Sequence, residues 1–242
     1  MVNTVQFENH KIMGIKERQE RGRDAVRRSI LDAARELFVA EGYQNVSIRK
    51  VAERIEYSPA AIYSYFPSKE DIFFALAEEG FRLLGRNVWP VDEETSSAAE
   101  PLDRVRAGFW RLYTFSREHP QYFSLIFLDR SVPRISREYE RFAFVRAGRQ
   151  QLVEDVQRCI ETKQLPATVD ASAAFRVIST GVFGVAAMRL SGRIARLEDA
   201  DALAADLLDV LIAGLQAGVT LRAGAGLCPD ELSESSADTK AS

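Results

Sequence analysis

The sequence runs to 242 residues, 46% hydrophobic and 28% charged, a composition that fits a folded chain with a sizeable core and rules out wholesale disorder. Net charge is −3, so any nucleic-acid binding must come from a local patch. Cys159 and Cys228 make no disulfide framework and two histidines build no typical zinc site unaided, so no metal or cofactor is expected and a reducing cytoplasm is. The first residues, with Glu8, His10 and Lys11, lack the apolar core of a secretion signal. The apolar stretch around Val182–Leu190 is too short to span a bilayer and carries Arg189, so secretion and membrane insertion are both excluded.

Apolar residues recur every three or four positions and no run alternates strictly, so the expected fold is all-α. Residues 1–23 read as a flexible basic arm. From Lys11 to Arg28, seven Lys/Arg face three acids. This is either a solvated, frayed terminus or a DNA-reaching arm continuous with the first helix. The span 24–41 reads as a first helix with Ile30, Leu31, Ala34, Leu37 and Phe38 on one stripe and Gly42 as a left-handed cap. Ser47 caps a second helix over 48–55, with Val46 and Val51 spaced as a hydrophobic staple. Ser58 caps a third that begins at Pro59 and ends at Pro67. Ser68 and Asp71 open a fourth, which connects onward to Arg86.

Three short helices in this order form a helix-turn-helix pattern over 24–68. The run from Ser47 to Ile72, SIRKVAERIEYSPAAIYSYFPSKEDI, resembles the DNA-binding domain of the tetracycline-repressor (TetR) family, most closely in IYSYFPSKEDI. The likeness extends back through ILDAARELFVAEGY at 30–43. It implies a ligand-responsive, sequence-specific transcriptional regulator, a repressor released from operator DNA by a small molecule. The alternative is a helical ligand-binding adaptor that has lost DNA binding, since residues 16–86 hold 13 Lys/Arg against 12 Asp/Glu.

Ile48, Val51, Ala52, Ile55, Ile62 and Phe66 make inward stripes. With the cap residue Ser47, that leaves Arg49, Ser58, Pro59, Ala60, Ala61, Tyr63, Ser64 and Tyr65 for the face that would enter a major groove. Tyr63 and Tyr65 are either core aromatics or hydroxyl donors to phosphate; the resemblance places them on the functional side. Lys69 is either a surface lysine or part of an anion site at a helix start, and in the family its counterpart contacts phosphate. No Arg, Lys, Asn or Gln occurs from Pro59 to Phe66, so the third helix has no bidentate base reader. Arg49 is the best guanine candidate. Where the family often has glycine this chain has Glu56, so a left-handed turn there carries strain.

Residues 69–222 read as a larger effector-binding and dimerisation domain, with helices near 101–118, 121–130, 134–163, 170–191 and 199–222 after a loop at 87–100. The spans 170–191, rich in small residues, and 199–222, apolar on more than one face, read as the two-fold interface of a homodimer. Aromatics crowd the middle; most must be core. Phe109, Trp110, Tyr113, Phe127 and Phe183 are the candidates to line an effector pocket. The tail 223–242 reads as a disordered acidic segment. No catalytic constellation is found, so an enzyme is not expected.

Overall fold

A computed structural model describes residues 3–88, 100–138, 140–195 and 198–221, with side chains described outside 3–17, 87–88 and 136–137. The expected tail at 223–242 and most of the expected loop at 87–100 lie outside these. The described residues are helical, with no strand. The chain order is α1 (Asn3–Glu41), α2 (Ile48–Arg54), α3 (Pro59–Tyr63), α4 (Lys69–Val88), α5 (Pro101–Glu118), α6 (Pro120–Phe123), α7 (Ala143–Glu161), α8 (Ala171–Leu190) and α9 (Ala200–Gln216).

Helix α1 takes in residues 3–23, so the expected basic arm is continuous with the first helix. No proline interrupts residues 3–41, and Gly22, which has open space around it, does not stop the helix. Its C-terminal third supplies Ile30, Leu31, Ala34 and Phe38 to a small core completed by Val51 and Ala52 of α2 and Ile62 of α3. Gly42 does take positive φ, 82°, but with ψ 144° it leads the chain out extended rather than closing a left-handed cap. Helix α3 stops at Tyr63, shorter than expected. Tyr65 and Phe66 N–H then both turn back to the Ile62 carbonyl, at 2.9 and 3.0 Å.

Helix α4 passes from this unit into the second. Ile72, Phe73 and Leu76 are fully buried on it, and one hydrophobic core runs from Ile30 to Leu215. In the second unit α5 packs against α4, α7, α8 and α9. Close approach is made possible by missing side chains. A Cβ on Gly108 would stand 2.6 Å from Leu152 Cδ2, and one on Gly80 would stand 2.6 Å from Ile126 Cδ1 and 2.9 Å from Tyr122 Cδ1.

Three helices differ from expectation. The expected span 121–130 is the short α6 followed by a π-helical turn, Ser124–Leu128. The span 134–163 yields a 3-10 turn, Ile135–Glu138, and α7 starts only at Ala143, after Phe142 has been inserted between Phe74 and Phe81. Helix α9 ends at Gln216, because Gly218 takes φ 79° and Val219 N–H turns back to Gly214 O at 3.1 Å. Asp170 and Asp199 cap α8 and α9 by accepting from Ala173 N–H and Asp201 N–H.

Helix α8 is 20 residues and, by length and composition, apolar enough to cross a membrane. It lies instead against α5, α7 and α9, and its Arg189 guanidinium donates to Ser116 O on α5 at 2.6 Å. In that packing 44% of its most apolar window is buried.

Candidate functional site

The turn between α2 and α3 sets how α3 is presented. Ser47 Oγ accepts from Lys50 N–H at 3.2 Å and Ser58 Oγ from Ala61 N–H at 3.2 Å, so each short helix has one of its free N–H groups satisfied by its own cap. Helix α2 ends with Glu56 at φ 59° and Tyr57 N–H reaching back to Ala52 O at 2.9 Å. The strain expected at Glu56 is present. Replacing Glu56 with Gly removes about 1 kcal/mol of left-handed strain, offset in part by glycine's greater freedom when unfolded. The thermal midpoint should therefore rise by about 1–3 °C in calorimetry. A lower midpoint would show that the glutamate side chain outweighs the strain.

With Ile62 and Phe66 buried, α3 turns the other face outward. Tyr63 is 53% exposed, and Ser58, Pro59, Ala60 and Ser64 are exposed beside it, with Ala61 half-buried. Ser64 Oγ–H donates to Ala61 O at 2.7 Å, which leaves the oxygen able to accept. On α2, Ser47 is exposed and Arg49 projects into solvent, its Nε 2.8 Å from Glu53 Oε1. Tyr57, which sequence reasoning passed over, is 44% exposed in the turn itself.

Two candidates are placed differently. Tyr65 is half-buried, packed against the core, with the Arg23 guanidinium 5.7 Å from its ring centre. Lys69 is also half-buried. Its Nζ donates to Tyr43 O at 2.9 Å and lies 4.1 Å from the Tyr43 ring centre. Burial there lowers the Lys69 pKa from its ordinary value. Lys69 therefore ties α4 to the turn after α1.

The five pocket candidates sort into three ring clusters. Phe127 and Phe183 stack at 4.8 Å, with Phe123 5.5 Å from Phe183 and Phe81 5.8 Å from Phe127. Phe109 is fully buried against Phe175 at 5.8 Å. Trp110 and Tyr113 meet at 5.3 Å. Tyr113 has no exposed surface, and its OH donates to Asp201 Oδ1 at 2.7 Å, with Arg117 holding the other oxygen at 2.6 Å. Burial first, then the Asp201 carboxylate, pushes the Tyr113 phenol up to about 12. Its polar end is thus already spent on tying α5 to α9. A cleft of about 450 Å³ lies elsewhere, between α1 and α4, lined by Arg27, Arg28, Arg82 and Arg86 together with Glu78 and Glu79. Sequence reasoning missed it because Arg28 and Glu79, which pair across it, are 51 positions apart in the chain. Among the described residues no group of three His, Cys, Asp or Glu could hold a metal.

Helices α8 and α9 carry the most exposed apolar side chains of the second unit. Val210 is 68% exposed, Val219 just beyond α9 is 54%, and Met188 and Leu203 are also open. Gly184 on α8 has no atom within 4 Å of the position of a Cβ, whereas Gly181 lies against Leu207 and Leu211 of α9.

Residues 30–76 match the family model for bacterial regulatory proteins of the tetR family, and residues 105–211 match the tetracyclin repressor-like C-terminal domain. The HTH-type transcriptional repressor Rv1474c of Mycobacterium tuberculosis is 44% identical over 55 residues, 23% of this chain and 29% of the relative. The HTH-type transcriptional activator FasR of Mycolicibacterium smegmatis is 29% identical over 105 residues, 43% of this chain and 47% of the relative. In each case the match spans less than half of the relative's length. Among solved structures, the regulator PfmR of Thermus thermophilus superposes with a TM-score of 0.62 at 22% identity, covering 77% of this chain and 98% of that one. FadR of Bacillus subtilis, in complex with stearoyl-CoA, gives a TM-score of 0.61 at 18% identity and covers 77% of this chain and 97% of its own. At these identities the likeness to the two structures is one of fold. With both halves of the chain matched in order, and the capped three-helix unit joined through α4 to a helical second unit, the protein belongs to the tetracycline-repressor family of bacterial regulatory proteins.

Proposed function

We propose that the protein is a cytoplasmic, sequence-specific DNA-binding transcriptional repressor that acts as a homodimer and leaves its operator when a small apolar or amphipathic molecule binds among α5–α8. The observation that carries this reading is the outward face of α2 and α3. It presents Tyr63, Ser64, Ser58 and Arg49 on helices whose ends are fixed by their own serines. Tyr63, Ser47 and Ser64 serve as hydrogen-bond partners of phosphates, Tyr65 supports them from the half-buried side, and Lys69 adds charge at the start of α4. Arg49 reads a guanine edge, and Pro59, Ala60 and Ala61 offer apolar contact to thymine methyls. The named relatives include a repressor and an activator, and repression is the reading adopted. The homodimer is supported by the apolar outer face of α8 and α9, and the effector class by the rings of Phe109, Trp110, Tyr113, Phe127 and Phe183.

The test is salt-titrated fluorescence anisotropy against DNA upstream of the protein's own coding region and against a scrambled duplex. Arg49→Ala should cost about 1–3 kcal/mol on the operator and relax preference at one base pair. Tyr63→Phe should cost about 0.5–1.5 kcal/mol on both duplexes, and somewhat more where the acceptor is a charged phosphate. If the unaltered protein binds neither duplex above background at low salt, the DNA-binding reading falls and the adaptor takes its place.

A further inference from the structure

The unit that carries α2 and α3 meets the rest of the molecule at a second place besides α4. Four hydrogen bonds join α1 and its following turn to residues 121–131. Arg35 Nε donates to Gln121 Oε1 at 3.0 Å and Arg35 Nη1 to Tyr122 Oη at 2.8 Å. Tyr43 N–H donates to Asp129 Oδ2 at 3.2 Å, and Gln44 Nε2 to Ser131 O at 3.2 Å. Asp129 is itself held in place, since its Oδ1 accepts from Ser131 N–H at 2.8 Å and Oγ–H at 2.6 Å. Tyr43 is therefore gripped from two directions, its N–H by Asp129 and its carbonyl by Lys69 of α4. It stands four residues before Ser47, the cap of α2, and is 5% exposed.

The other side of the same short segment belongs to the aromatic cluster. Phe123 and Phe127 pack on Phe183 of α8, and the backbone between them is the π-helical turn, closed by Asp129 N–H to Ser124 O at 3.0 Å. Wider turns of this kind store an extra residue that can be taken up or released. Gly80 lets α4 approach this turn closely, since a Cβ there would stand 2.6 Å from Ile126 Cδ1. A change around Phe183 thus meets a compact lever whose far end is a carboxylate on the Tyr43 amide.

We infer that Asp129 is a positioning residue for DNA binding: through Tyr43 N–H it fixes the orientation of α2 and α3, and it passes on to them any displacement of the Phe123–Phe127–Phe183 cluster. The DNA part rests on the reading proposed above; the mechanical part does not. Two arms keep them separate.

The first arm uses no DNA. Amide hydrogen exchange is followed in the full-length protein, in Asp129→Ala, in Gln44→Ala as a variant at an exposed residue that removes one strut bond, and in Phe127→Ala. Asp129→Ala and Gln44→Ala should speed exchange over residues 43–66 by about tenfold or more while 171–190 keeps its protection. Phe127→Ala should also speed 43–66, and adding it to Asp129→Ala should produce no further increase, because the path is already cut. Unchanged exchange over 43–66 in both Asp129→Ala and Gln44→Ala, or an additive double variant, overturns the inference.

The second arm measures operator affinity. Asp129→Ala should weaken it about tenfold with the salt slope unchanged, since no phosphate contact is lost, and Asp129→Asn, which keeps an acceptor for Tyr43 N–H, should recover most of the loss. A changed salt slope would mean that Asp129 acts on DNA directly and would overturn the positioning role. If the unaltered protein binds no DNA, the function proposed above fails while the exchange result still decides the lever.

Discussion

Placing one charge at Val210 or at Gly184 should convert the homodimer proposed above to a folded monomer. On α9 the residues Leu208, Ile212 and Leu215 face inward and are nearly fully buried, while Val210 on the opposite side is 68% exposed. Val210→Glu adds a carboxylate beside Asp206 and Asp209 and replaces a β-branched residue with a better helix former. Gly184→Glu fills space that is empty in one subunit and replaces glycine within a helix, so the isolated subunit should gain stability by up to about 1 kcal/mol. In a two-fold interface each substitution occurs twice. An uncompensated buried charge costs about 3–5 kcal/mol, so the dimer dissociation constant should rise at least about a thousandfold. Light scattering at micromolar concentration should give half the wild-type mass with an unchanged helical circular-dichroism signal. Operator affinity should fall with it, because two recognition helices about 34 Å apart no longer act together. An unchanged dimer mass in both variants would move the interface off α8 and α9. Leu211 is a poorer probe: it is half-buried against Gly181 of its own chain, so a charge there also attacks the fold.

Phe73→Ala should be the most damaging single truncation in α4. Phe73 has no exposed surface and lies edge-on to Tyr43 at 5.8 Å and against Phe74 at 5.5 Å, so its ring belongs to the cores on both sides of the junction. Emptying that volume should cost about 3–5 kcal/mol. For a chain of this size that is about 6–20 °C of thermal midpoint. The effect should be uneven, with residues 43–66 losing protection before α8 does. A midpoint within about 2 °C of wild type, by differential scanning calorimetry at matched concentration, would show that the two units are held together elsewhere.

The all-helical class and the helix-turn-helix unit were legible because their signals are local. Ser47, Ser58 and Ser68 announce helix starts within three residues, and each is found capping through its own side chain. The strained turn at Glu56 was readable for the same reason. The contacts that half-bury Tyr65 and Lys69 were not, since they are made with Arg23 and with Tyr43, partners far back in the chain. The bonds from Tyr43 to Asp129 and from Tyr113 to Asp201 span 86 and 88 positions and leave no periodic trace. Helix ends were misplaced where backbone geometry decided them: Gly218 halts α9 early, and the insertion of Phe142 delays α7. The apolar pattern over residues 121–130 fits a π turn as well as an α-helix, because one bulge shifts the phase by less than a full turn.

If α3 serves as the recognition helix of the function proposed above, its five residues, with hydroxyls beside a proline ring and two methyl groups, have consequences for how the binding sites evolve. Without a guanidinium or carboxamide on α3, no single base pair there commands the discrimination of a forked contact. Recognition is instead divided among many small increments, some of them in the flexibility and groove width of the duplex. A mutation in one half-site is then tolerated and can be offset by another a few positions away. Operators under this regulator should accordingly diverge in sequence faster than they diverge in shape, and new ones should arise from existing DNA by only a few changes.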